Sequence, residues 1–148
     1  MPETVQTPSP DGSLQAFLAN ADPQAALRLR TLANAWQGGG GHLFVGKIAI
    51  RLLGADAQGR GFTAGTLHHA HGEPPGPNME LGRVLLQAHG VTPAIWTEWC
   101  DERPELRPLG FDRNAKFPMV RLDAMPDADL ARLASGLRDL ARRVTPSN

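Results

Sequence analysis

The clearest periodicity in the chain lies at its C-terminal end. Leu130, Leu133, Leu137, Leu140 and Val144 recur at alternating intervals of three and four, which predicts an amphipathic helix over 127–143. The same spacing joins Leu29, Leu32, Ala33 and Trp36 after Asp22-Pro23, a helix start in which an acceptor side chain precedes a proline. Gly38 to Gly41 ends that helix. Before it, Ser13 suits the cap of a short helix with Leu14, Phe17 and Leu18 turned inward.

From His42 the period drops to two. Phe44, Ile48, Ile50 and Leu52 fall on one face of a strand over 42–54, and Lys47, Ala49 and Arg51 on the other. Residues 62–71 read as a second strand, and the two make an antiparallel hairpin over 42–71. Asn78 then reads as the cap of a helix running to about His89, with Met79, Val84, Leu85 and Ala88 as its stripe and Gly90 as its stop. Thr92-Pro93 starts another helix, with Ile95, Trp96, Trp99 and Cys100 on one face, ending before Pro104. Residues 105–115 are irregular, and 116–122 form a short strand that Pro118 assigns to a sheet edge.

The order is α-α-β-β-α-α-β-α. Helices and strands do not alternate as a doubly wound fold requires, so the expected class is α+β. We expect a small, mostly antiparallel sheet of about three strands packed with four to five helices. Residues 1–12, polar and proline-bearing, read as a flexible tail, and 13–148 as a single domain.

Composition narrows the function classes. The formal net charge is zero, with 41% hydrophobic and 20% charged residues. A nucleic-acid binder ordinarily carries a basic excess, so generic phosphate affinity is disfavoured. Zero net charge also lowers repulsion between copies and favours self-association. With Cys100 as the sole cysteine, neither an internal disulfide nor a thiolate zinc cluster can form. The first residues lack the basic and apolar regions of a signal peptide, and no apolar run is long enough for a membrane span. Arginine far outnumbers lysine, as GC-rich coding produces. The simplest expectation is a soluble, cytoplasmic, bacterial protein.

Several stretches carry candidate chemistry. In "TLHHAH" (66–71), strand alternation places His69 and His71 on one face, roughly 6–7 Å apart, and His68 on the other. Two imidazoles at that spacing can reach one metal, and zinc is the metal they suit. A catalytic zinc needs a third ligand, for which His89, Glu73, His42 and Asp101 are the candidates. Without a metal, His69 and His71 would lie on a solvent face, with His68 half-buried against the next helix.

Residues 79–103 resemble a helix-turn-helix of the phage-repressor type in Gly90, Val91, Thr92, Pro93, Trp96 and Trp99. The resemblance spans about twenty residues, and it implies DNA reading by the second helix. His89 and Leu86 depart from the pattern. That second helix carries Glu98, Asp101 and Glu102, with no basic residue before Arg103, and acids there repel phosphate. A helix corner with ordinary capping explains the same residues. Arg60, Gly61 and Phe62 resemble the RNA-recognition-motif strand, but Ala64 stands in place of a stacking aromatic and the element order is wrong for that fold.

The remaining features have structural explanations. Gly38 to Gly41 follow a helix rather than precede one, so they do not form a phosphate loop. Arg132, Arg138, Arg142 and Arg143 lie towards the end of a helix that begins with Asp127 and Asp129, a distribution that complements its dipole. Cys100 shares an apolar face with the tryptophans and behaves as a small hydrophobe. The leading functional expectation is a non-enzymatic interaction or regulatory module, partnered by itself or by another protein. A metal-dependent hydrolase using His69 and His71 comes second, and a DNA-binding regulator using 79–103 third.

Overall fold

The computed structural model describes residues 10–55, 58–71 and 76–144. Their order is α1 (Pro10–Leu18), α2 (Pro23–Gly38), β1 (His42–Val45), β2 (Ala49–Ala55), β3 (Gly61–His71), β4 (Gly76–Leu81), α3 (Arg83–Ala88), α4 (Pro93–Asp101), a 3-10 helix over Pro104–Leu109, β5 (Met119–Arg121) and α5 (Asp127–Val144). The class is α+β. The sheet has five antiparallel strands rather than three, ordered β1-β2-β3-β4-β5, and six helices accompany it among the described residues. Helix α1 begins at Pro10, so residues 10–12 of the stretch expected as a tail are helical, and residues 1–9 lie outside the described residues.

Two sequence expectations fail for identifiable reasons. The stretch 42–54 is not one strand but two, joined by a turn at Gly46-Lys47-Ile48 that Gly46 closes by donating to the Ala49 carbonyl at 2.9 Å. Phe44 therefore pairs with Arg51, on the face opposite Ile50 and Leu52. Likewise the helix expected over 78–89 starts only at Arg83. Asn78 and Met79 belong to β4, where they pair with His68 and Leu67 of β3. Tertiary pairing overrides the capping preference of Asn78.

The helix starts at Asp22 and Thr92 form as their sequences predict. Asp22 Oδ1 accepts from the amides of Gln24 and Ala25 at 3.0 Å each, and Thr92 Oγ1 accepts from Ile95 at 3.2 Å. On the covered face of the sheet the register aligns Val45, Ile50, Leu67, Met79 and Val120 in one row across all five strands. Helices α1, α2 and α5 bury this face with Phe17, Leu29, Leu32, Trp36, Leu133, Leu137 and Leu140. Each such side chain taken from water contributes about 1.5–3 kcal/mol. The Trp36 indole donates to the Leu53 carbonyl at 3.0 Å, tying α2 to β2.

A second apolar cluster anchors the corner after β4. Trp96 and Trp99 stack at 5.6 Å against Phe111, and the Trp99 indole donates to the Gly136 carbonyl of α5 at 3.0 Å. Arg28 of α2 is buried, donates to the Met125 carbonyl and lies 3.4 Å from Asp127 at the start of α5. Among the described residues no helix is long and apolar enough to cross a membrane.

Candidate functional site

The second face of the sheet carries a different row: Phe44, Arg51, Thr66, Glu80 and Met119, aligned strand by strand. Phe44 and Arg51 are exposed and the other three half-buried. An antiparallel sheet ordinarily buries one face and leaves the other to water, with polar residues on the wet side. The exposed aromatic at one end of this row departs from that pattern, as does the half-buried Met119 at the other. Phe44 remains 55% exposed although the Arg51 guanidinium lies 5.5 Å from its ring centroid.

The two edges of the sheet are built differently. The β5 edge is three residues long, follows Pro118 and ends on Arg121, which pairs with Asp123 at 2.8 Å. Short length, proline and charge all blunt an edge. The β1 edge, "HLFV", has no proline, acid, lysine or arginine. Its covered-face residues Leu43 and Val45 are only half-buried, and Ile48, in the turn that follows, is 76% exposed. A groove of about 440 Å³ runs between α1 and this edge, lined by Ala16, Phe17, Asn20, Val45, Gly46 and Lys47.

The histidines are dispersed. His69 meets Phe17 of α1 edge-on, with ring centroids 5.1 Å apart, so it is half-buried against a helix rather than standing on a solvent face. The β3–β4 register shifts between His68 and His71, because His68 pairs with Asn78 and His71 with Gly76. This bulge inserts one residue and interrupts the alternation that assigned His69 and His71 to one face. The side chain of His71 and all of Glu73 lie outside the described residues. Of the other candidate ligands, His89 stacks on Phe62 at 3.9 Å, Asp101 pairs with Arg113 at 2.8 Å, and His42 stands exposed on β1. Among the described residues, no three histidine, cysteine, aspartate or glutamate side chains gather closely enough to hold a metal ion.

Helix α4 turns Trp96, Trp99 and Cys100 into the core and leaves Thr97, Glu98, Asp101 and Glu102 exposed. Its outer face is therefore acidic. A cleft of about 580 Å³ lies between α4, the 3-10 helix and the loop that follows, with Cys100, Leu106 and Phe111 at its floor. Several of its polar groups are engaged within its own wall. Arg113 donates to Asp101 and to the Thr97 carbonyl, each at 2.8 Å, and Asp112 accepts from the Asn114 amide at 3.0 Å.

Burial raises the Cys100 thiol from its ordinary 9.0 to about 11. The group is thus a neutral thiol at pH 7–8, not a nucleophile. A disulfide reagent at pH 8 is expected to leave Cys100 unmodified in the folded protein and to react within seconds in denaturant. Rapid native-state reaction would place the thiol at the surface instead. The sign for stability follows from linkage. The raised folded value gives a contribution that is complete below about pH 9 and lost as pH climbs towards 11.

Sequence reasoning missed the β1 edge because Ile48 keeps the period-two pattern running through the turn. The single turn signal was Gly46. Comparison of this chain with family models, with curated proteins and with solved structures gives no match.

Proposed function

We propose that this protein is a non-enzymatic interaction module that works by strand addition at the β1 edge of its sheet. One observation carries the reading: β1 lacks the charge and proline that blunt β5, it carries exposed Phe44, and exposed Ile48 follows it. In strand addition, main-chain hydrogen bonds supply affinity and side-chain pockets supply selectivity. The groove beside Val45 is such a pocket. The protonated Cys100 thiol and the Arg113–Asp101 pair favour binding over chemistry in the neighbouring cleft. The acidic outer face of α4 favours a structural corner over a DNA-reading helix.

The test is amide exchange with an extended peptide as probe. A capped five-residue peptide alternating threonine and valine, at millimolar concentration, should slow exchange of the outward amides of Leu43 and Val45 at least several-fold. Amides of α5 should not change. If saturating peptide leaves every β1 amide unaffected, strand addition at this edge is wrong.

A further inference from the structure

The β1 edge selects its own occupant. We propose that the strand added there is β1 of a second copy of this chain, antiparallel, with a two-fold axis through Phe44. The inference rests on the edge reading above and commits it to one partner.

The argument begins with which groups face outward. Gly46 donates across the hairpin to the Ala49 carbonyl at 2.9 Å, so its main-chain groups point towards β2. Directions alternate along a strand. Phe44 and His42 therefore also point towards β2, and Leu43 and Val45 turn their amides and carbonyls to the free side. Antiparallel partners share a face only when positions of matching parity oppose each other. An axis through Phe44 meets both conditions. It opposes Phe44 to Phe44 and Leu43 to Val45 of the second copy, and each Leu43–Val45 pair exchanges two hydrogen bonds. All the bonding residues lie inside β1. An axis through Leu43 would instead need Gly41, which is outside β1 and packed on the Trp36 ring.

The side chains agree with that register. Phe44 opposite Phe44 is a non-hydrogen-bonded pair, the closer kind, and two exposed rings would cover each other. On the helix side, Leu43 of the second copy lies next to Val45 and enters the groove that Val45, Ala16 and Phe17 line. An axis perpendicular to the sheet keeps the helices of both copies on one side, so the isologous contact closes as a dimer. With zero net charge and no acid, lysine or arginine in β1, nothing in the strand repels its twin.

Two measurements test this. Sedimentation equilibrium from 5 to 500 µM should show a rise towards twice the chain mass (concentrations on the scale expected of a small interface). Val45→Pro, which removes an outward donor at an edge position where proline is tolerated, should stay monomeric throughout with an unchanged far-ultraviolet spectrum. Oxidation of Phe44→Cys should give a covalent dimer, because Cα atoms about 4.5 Å apart are within disulfide reach. His42→Cys should not, since its twin is about 13 Å away along the paired strands. The buried Cys100 thiol does not compete.

A chain that stays monomeric at 500 µM overturns the self-pairing. If the threonine–valine peptide still slows Leu43 and Val45 exchange in that monomer, the edge reading survives alone. If those two amides are already protected in the monomer, the chain covers its own edge and both ideas fall. Equal cross-linking of Phe44→Cys and His42→Cys overturns the register.

Discussion

Trp36→Ala is expected to remove about 3–5 kcal/mol of stability, read from the urea midpoint at unchanged slope. That is a large part of the roughly 5–15 kcal/mol of an ordinary domain. The indole is fully buried between α2 and the sheet, and its Nε1 donates to the Leu53 carbonyl at 3.0 Å. Truncation leaves a cavity and removes the indole's hydrogen bond to half-buried Leu53. A companion change identifies the mechanism. A Cβ on Gly41 would lie 2.6 Å from Trp36 Cδ1 and Cε2, far inside contact distance. Gly41→Ala alone should therefore cost about 1–3 kcal/mol. In the Trp36→Ala background the same change should cost little, because the ring it collides with is gone. Additive losses would show that Gly41 is needed for its backbone rather than for the indole. The positive φ in this connection belongs to Gly40, at 104°.

This pair also shows what the sequence makes legible. The helical stripe of α2 identifies Trp36 as inward, and the same logic places Leu133, Leu137 and Leu140 of α5. Those positions need only a period and a cap. The strands are harder, because their faces depend on parity and parity is lost wherever a residue is inserted. Ile48 hides the β1–β2 turn, and the bulge after His68 breaks the alternation used for His69 and His71. Strand β4 is concealed differently. Its residues Gly76 to Met79 are all buried, so no alternation marks it, and Asn78 imitates a helix cap. The self-complementary edge was therefore invisible until the hairpin closed and put Phe44 beside Arg51.

The corner around Arg103 gives the second large effect, and it reverses sign with background. Gly136 lies in the middle of α5, where glycine costs roughly 1 kcal/mol relative to alanine. Propensity alone predicts that Gly136→Ala stabilises. However, a Cβ there would stand 2.7 Å from Arg103 Cζ and 2.8 Å from its Nη2. The guanidinium cannot easily retreat. It is held 4.6 Å from the Trp99 ring centroid, donates to the Trp99 carbonyl at 2.9 Å, and is only 8% exposed. Gly136→Ala is thus expected to destabilise by about 1–3 kcal/mol, as overpacking does. Arg103→Ala should itself cost stability through lost packing on Trp99. Once Arg103 is alanine, the helix preference is unopposed, and adding Gly136→Ala should raise the urea midpoint, returning about 0.5–1 kcal/mol. The coupling between the two sites is the measured quantity, and a Gly136→Ala effect of one sign in both backgrounds would refute the contact. Trp99 fluorescence supplies an independent reading. The guanidinium lies 4.6 Å from the Trp99 ring centroid, so Gly136→Ala should shift the emission when Arg103 is present to be displaced, and should leave it unchanged when added to Arg103→Ala.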